Sequence, residues 1–298
     1  MELQNYQAFL AVADAESFSR AAERLHLTQP AVSKRVSALE EALDARLFDR
    51  IGRRVILTEA GCALRPVARQ VLEDVRESHR VIDNLRGAIG GSLPMVTSHH
   101  IGLRRLPDLL RQFSARYPEV QLDLAFRDSE NACEAVERGE FELGVVTLPT
   151  RGHERLERTF LWDDPLVVAV ARDHPLAGQH EVTVEMLRDQ RAILPAAGTY
   201  TRSIIEASVL GRGDELNVTM ETNYLETIRT MVAVGLGWSA LPRTMIDEEL
   251  VELPVSMPPI RRELGVVTSA RRTLSNASKA MLALLTSSRE RRGDQPKR

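Results

Sequence analysis

Hydrogen-bonding side chains that could do chemistry concentrate in two places. Between Thr28 and Leu43, Val32, Val36, Leu39 and Leu43 recur at helical spacing as a core stripe. Gln29, Pro30, Ser33, Lys34 and Ser37 occupy the opposite and flanking face, and small or hydrogen-bonding groups of this kind suit a groove better than a core. The second concentration, Thr97-Ser98-His99-His100-Ile101-Gly102, follows a strand-like run and opens a helix. Hydroxyls and unpaired backbone amides at such a junction suit a small anion or carboxylate. Thr147 ends the strand-like run Leu143-Gly144-Val145-Val146, and Gly198-Thr199-Tyr200-Thr201-Arg202 opens another helix; both could face that junction across a cleft. Ser98, His100, Thr147, Thr201 and Arg202 are therefore the candidate anion contacts, and each could instead cap its own helix.

Other chemistries find little support. The sequence has no Gly-x-Ser-x-Gly elbow, Walker loop, His-Glu-x-x-His or coherent nucleophile and base set, which argues against an enzyme. His99 and His100, adjacent on a strand-to-helix turn, point apart, and no spaced set completes a metal site. Gly235-Leu236-Gly237 precedes a strand-like run, the wrong order for a dinucleotide loop. Cys62 and Cys133 lie in unrelated segments and read as inert thiols, not as a disulfide or redox pair.

The elements that must position these groups form three stretches. In the first, Tyr6, Phe9, Leu10 and Ala13 mark one helix, and Ser17 or Ser19 caps a second over Arg20–Leu25. His26 and Leu27 make a tight connection, and Thr28 caps the third helix with Pro30 in its first turn. Asp49 to Leu57 reads as a hairpin wing around Gly52, presenting Arg50, Arg53 and Arg54.

The second stretch is one long helix. Leu64, Ala68, Val71, Val75, Ser78, Ile82, Leu85 and Ile89 alternate steps of four and three, the heptad spacing of a seam that needs a partner, in a second copy or in the chain's own domains. Gly87, Gly90 and Gly91 end it. From Leu93 onward strand-like and helix-like runs alternate, implying α/β layers with largely parallel sheets. Helices are expected over Leu103–Tyr117, Asn131–Arg138, Thr201–Val209, Tyr224–Val234 and Leu274–Thr286, and the polar tail Ser287–Arg298 is expected to be disordered.

The chain has 298 residues with 39 Lys and Arg against 42 Asp and Glu, a formal charge of -3, so net charge gives no hint of nucleic acid. A 43% hydrophobic content is enough for two or three domains and excludes disorder of the whole chain. Placement is more informative: between Phe18 and Ala60, Arg20, Arg24, Lys34, Arg35, Arg46, Arg50, Arg53 and Arg54 outnumber Glu23, Glu40, Glu41, Asp44, Asp49 and Glu59. There is no apolar leader, and runs such as Val167 to Ala171 fall far short of the ~20 residues a membrane helix needs. A cytoplasmic protein is expected.

The block Ser17-Phe18-Ser19-Arg20-Ala21-Ala22-Glu23-Arg24-Leu25-His26-Leu27-Thr28-Gln29-Pro30-Ala31-Val32-Ser33-Lys34-Arg35-Val36 closely resembles the helix-turn-helix of LysR-type transcriptional regulators. Leu39-Glu40, Leu47-Phe48-Asp49-Arg50 and Leu57-Thr58-Glu59-Ala60-Gly61 continue the pattern. The resemblance implies a winged helix-turn-helix over residues 1–58, a linker and dimerisation helix over 59–90, and a two-lobed α/β effector domain over 91–298, similar to periplasmic binding proteins. Lobe I would span about 91–161 and 267–298, and lobe II about 162–266. It also implies binding to double-stranded promoter DNA as a homodimer or homotetramer, with Leu64, Val71, Val75, Ile82 and Leu85 at the dimer seam and RNA polymerase as a candidate contact. No cofactor is implied beyond a small-molecule effector.

A helix entering the major groove N-terminus first brings Gln29 and Ser33, beside Pro30, to base edges. Thr28, Lys34 and Arg35 are better placed for phosphates, and Arg50, Arg53 and Arg54 for backbone or a narrow minor groove; Arg50 could instead pair with Asp49 or Asp44. The run from Thr97 is similar to the Thr-Thr-His-Thr motif of members that sense sulfur-containing anions, from which it departs at Ser98, His100 and Ile101. Two rival readings are a two-lobed enzyme, which lacks a catalytic constellation, and an exported solute-binding protein, which has no use for a DNA-reading head.

Overall fold

A computed structural model describes residues 2–51, 54–85, 87, 89–150, 152–210 and 215–293, with only the backbone at 50, 51, 54, 76, 79, 83 and 289–293. The chain divides into two units, Met1–Arg86 and Gly87–Arg298.

In the first unit, helices α1 (Leu3–Ala15), α2 (Phe18–Arg24) and α3 (Gln29–Leu43) close around Ala8, Val12, Ala21, Ala22, Val32 and Val36. Of the two candidate caps, it is Ser17 whose hydroxyl accepts the Arg20 N–H, at 3.4 Å. His26 takes a left-handed conformation (φ 52°) in the turn into α3. Strands β1 (Phe48–Ile51) and β2 (Arg54–Leu57) form an antiparallel hairpin pairing Phe48 with Leu57 and Ile51 with Arg54.

The motif residues outside the helix-turn-helix hold this unit together. The Glu40 carboxylate accepts the Leu47 N–H at 2.7 Å. Thr58 Oγ1 accepts the Gly61 N–H at 3.0 Å and donates to the Arg46 carbonyl at 2.7 Å. A Cβ on Gly61 would stand 2.2 Å from the Leu47 carbonyl oxygen, so the close approach there requires glycine.

Helix α4 (Glu59–Leu85) has two unlike parts. Near its start Ala68, with Leu64 and Leu72, covers Phe9, Leu10 and Leu39, and Arg65 and Arg69 both reach Asp14, at 2.6 and 2.8 Å. Towards its end Val81, Ile82 and Leu85 are exposed, Leu85 by 80%. Val71 and Val75 are half-buried. The expected stripe does not extend to Ile89: the helix ends at Leu85, and Ile89 packs on the apolar core of the second unit.

In the second unit a seven-stranded sheet runs in the order β10 (Leu250–Glu252), β6 (Leu156–Ala171), β11 (Ile260–Ser269), β5 (Leu143–Thr147), β3 (Gly91–Thr97), β4 (Val120–Phe126), with β9 (Ser239–Pro242) also paired to β6. The expectation of largely parallel sheets is corrected here. Among the strands of the described residues, β3 with β4 and β5, and the separate pair β7 (Ala192–Leu194) with β8 (Val218–Glu221), are parallel; β6 and β11 are antiparallel to each other and to their remaining partners. The reason is connectivity, because β6 and β11 pass in opposite senses between two cores. One core holds Leu93, Met95, Phe113, Trp162 and Leu264, and the other holds Leu166, Val168, Ile205, Trp238 and Ile260.

Three local expectations also change. The helix expected over residues 103–117 is two, α5 (His99–Arg104) and α6 (Pro107–Arg116), because Pro107 has no N–H with which to continue the first. Strand β6 begins at Leu156, eleven residues before the apolar run Val167 to Ala171, because pairing with β11 recruits a polar stretch. The tail expected from Ser287 is partly helical, since α11 (Asn276–Gly293) continues past Leu285, with Ser287 and Ser288 donating to the carbonyls of Leu284 and Leu285. Helices α7 (Ser129–Glu137), α8 (Val184–Arg188), α9 (Tyr200–Val209) and α10 (Leu225–Ala233) complete the layers.

Candidate nucleic-acid interface and ligand cleft

Helix α3 separates its two faces as its periodicity requires. Val32, Val36 and Leu39 are buried, while Thr28, Gln29, Pro30 and Lys34 are exposed and Ser33 is half-buried. Arg35 turns back to α1, where its guanidinium donates to Gln4 Oε1 at 2.7 Å, so it fixes the helix on its scaffold. Arg53, and the side chains of Arg50 and Arg54, lie outside the described residues.

In the second unit, chain segments leaving the carboxyl ends of β3, β4 and β5 meet segments from the other lobe around a small cavity of about 50 Å³. Ser98 and His100 reach it from α5, Ser129 and Glu130 from the start of α7, Thr147 from the end of β5, and Thr199 and Thr201 from the start of α9. Four of the five candidate anion contacts, Ser98, His100, Thr147 and Thr201, thus share one wall. Arg202 is not in that wall: its guanidinium binds Glu206 at 2.6 Å, Glu221 at 3.1 Å and the Pro195 carbonyl at 2.9 Å, which holds α9 in place.

The strongest charge in the cavity comes from a residue that sequence reasoning missed. Arg262 on β11 is 4% exposed; its Nε donates to Asp164 Oδ2 at 2.7 Å and its Nη1 to Thr201 Oγ1 at 3.2 Å. Nη2 is also 2.7 Å from Asp164 Oδ2, so two nitrogens of the guanidinium pair with that carboxylate. Asp164, 1% exposed, takes a second hydrogen bond from Arg105 at 3.2 Å. The available signal was parity: Ile260, Arg262 and Leu264 alternate on one strand face, which places Arg262 inward.

His100 and His99 diverge as expected of neighbours. His100 is buried with Nδ1 3.3 Å from Glu226 Oε1, whereas His99 meets Phe126 and Tyr224 edge-to-face, at 5.2 and 4.9 Å. Burial, then Arg262, hold the His100 pKa below its ordinary value against the opposing pull of Asp164 and Glu226, leaving a neutral imidazole. Two further contacts tie the lobes together. Glu130 accepts the Tyr200 N–H, and Asp128 accepts from Asn223 at 2.9 Å. Burial raises the Glu130 pKa, and the Tyr200 N–H partly offsets this. Burial also pushes the Cys133 thiol up to about 12, beside the Tyr200 hydroxyl. A larger chamber of about 420 Å³ shares His99 and Asp128 and is further lined by Phe126, Asn131 and Tyr224.

A DNA-reading helix and a two-lobed ligand cleft in one chain define a ligand-responsive transcriptional regulator. Residues 3–62 match the model of bacterial regulatory helix-turn-helix proteins of the lysR family, and residues 86–289 match the LysR substrate binding domain. The chain is 32% identical over 285 residues to the RuBisCO operon transcriptional regulator of Allochromatium vinosum, covering 94% of each protein. It resembles a full-length OxyR point variant from Pseudomonas aeruginosa with a TM-score of 0.70 at 26% identity, over 97% of this chain and 94% of that one. The regulatory domain of CcmR from Synechocystis PCC6803, in complex with 2-PG, matches 67% of this chain and 98% of its own length, with a TM-score of 0.60 at 28% identity. The chain belongs to the LysR family: it is a LysR-type transcriptional regulator with an N-terminal helix-turn-helix and a small-molecule effector-binding domain.

Proposed function

We propose that Gln29 and Ser33 read promoter bases from the major groove and that a small carboxylate or other oxyanion, bound between the two lobes, controls the regulator. The observation that carries the effector reading is the wall itself, in which the buried Arg262 guanidinium, donating to Thr201, stands with the hydroxyl-bearing Ser98, Thr147 and Thr201. A guanidinium and hydroxyls converging on one cavity suit an oxyanion, to which charge-assisted hydrogen bonds are strong. Ser98, Thr147 and Thr201 add hydroxyls, and neutral His100 adds an uncharged ring edge. Arg202 is a positioning residue for α9 rather than a ligand contact.

On the head, Thr28 and Lys34 approach phosphates while Arg35 positions α3. Arg50, Arg53 and Arg54 of the wing supply further backbone contacts. The exposed end of α4, with Ile82 and Leu85, pairs with a second copy and Val71 and Val75 continue that seam, whereas Leu64, expected in the seam, packs instead on Phe9, Leu10 and Leu39 of its own chain. Homodimers match two half-sites, and pairing of dimers through the effector domains gives a tetramer. The protein acts in the cytoplasm, without catalysis, and through DNA bending or contact with RNA polymerase. An effector with different affinity for two lobe arrangements shifts the balance between them.

The test is thermal unfolding of the full-length protein with sulfate, phosphate, 2-phosphoglycolate and small carboxylates, followed by DNA binding with each stabilising compound. Wild-type protein should be stabilised by at least one of them, and Ser98→Ala and Arg262→Met should lose the response. Equal stabilisation of both variants would place the ligand elsewhere.

A further inference from the structure

The charges around the cavity are unequally divided. At the back, Arg262 and Arg105 share Asp164, a buried group of three ions with one net positive charge. At the front, Asp128 and Glu130 flank the first turn of α7. Neither carboxylate has a cationic partner among the described residues, and their contacts to Asn223 and the Tyr200 N–H are to neutral donors. His100 is neutral and adds no positive charge.

A purely anionic ligand held by Arg262 would therefore bring its charge against two carboxylates. Repulsion of that kind is how a site rejects a ligand class, and a cation on the same ligand would turn it into attraction. Burial raises the Glu130 pKa, the response of a carboxylate desolvated without a cation. The size also fits a head group: about 50 Å³ is room for about four waters, and the adjoining chamber of about 420 Å³ can take a substituent against Phe126 and Tyr224.

Building on the oxyanion site proposed above, we infer that the effector is a zwitterion of the α-amino-acid class. Its carboxylate meets the Arg262 guanidinium and the Ser98 hydroxyl, its ammonium group meets Asp128 and Glu130, and its side chain leaves towards the outer chamber. Asp128 and Glu130 are then the specificity-determining residues that separate amino acids from simple acids and inorganic anions.

The experiment is calorimetric titration of the full-length protein with matched pairs that exchange ammonium for hydroxyl: L-serine and L-glycerate, L-aspartate and L-malate, L-phenylalanine and L-phenyllactate. At least one amino acid should bind at least about tenfold more tightly than its hydroxy partner, the scale of one charge-assisted hydrogen bond. Glu130→Gln, which keeps the shape, should bring that ratio within about threefold while the hydroxy acid binds at least as well as before. Hydroxy acids that bind the wild-type protein as tightly as the amino acids overturn the inference, as does an unchanged ratio in Glu130→Gln. Binding of sulfate or phosphate that Ser98→Ala weakens, with no binding of any amino acid, overturns the zwitterion and keeps the oxyanion site. Failure of every probe to bind overturns both.

Discussion

In the head, Gln29, Ser33 and Lys34 lie within about two turns of α3, interleaved with the Val32 and Val36 that bury its other face. In the cleft, Ser98, Thr147, Thr201 and Arg262 come from four separated segments, and Arg262 is joined to Thr201, and through Asp164 to Arg105, by hydrogen bonds. Recognition side chains on the first surface are mostly solvated, and removing one leaves the others where they were. Arg262, Asp164 and Arg105 in the second are tightly packed and shared, so removing one leaves its partners uncompensated. Head variants should therefore act additively, and cleft variants should couple.

The largest effect should follow Asp164→Ala. It strands Arg262 and Arg105 with one countercharge removed, and chemical denaturation should show a loss of about 3–5 kcal/mol. Adding Arg262→Met to that variant should recover part of the loss. Strict additivity of the two substitutions would break the contrast between cleft and head.

Gln29→Ala comes next. Binding competitions between operator variants should lose about 1–3 kcal/mol of discrimination at one base position, with little change in protein stability. Unchanged base preference would remove Gln29 from the reading surface. Lys34→Ala should act on all sequences alike and reduce the slope of log affinity against log salt by about one. The Gln29 and Lys34 effects should add when combined.

The smallest effect is pH dependence in the second unit. Because the His100 pKa is lowered in the folded protein, the unfolded chain takes up that proton first as pH falls through about 6.5. Stability is lost between that value and the lower folded pKa, and nothing is contributed above it. Glu130 works in the other direction: its raised pKa lets the folded state bind a proton first, so stability is gained as pH falls through the folded value. Denaturation midpoints across this range should lose the first contribution in His100→Gln and the second in Glu130→Gln.

Much of the head was legible because its information is local. A period of 3.6 residues sorts α3 into two faces, Ser17 caps α2 from within the same segment, and Glu40 and Gly61 serve contacts only seven to fourteen residues away. The cleft was legible where a helix opens after a strand, as at Ser98 and Thr201, and at the end of a strand, as at Thr147. Arg202 has the same sequence context as Thr201 yet faces away from the cavity, because one residue along a helix turns a side chain by about 100°. Nothing near Arg262 announces the cavity either, since its partner Asp164 lies on β6, across the antiparallel register of β6 and β11.

The sequence by itself determined the family, the N-terminal helix-turn-helix and the presence of a two-lobed α/β domain, because motif, cap and apolar period are properties of short segments. Tertiary structure decided the sense of the central strands, the union of Arg262 with Asp164, and the meeting of Asp128 and Glu130 with the opposite lobe. Those pairings join residues up to about a hundred positions apart, and long-range register is set by closing both cores at once rather than by any local preference.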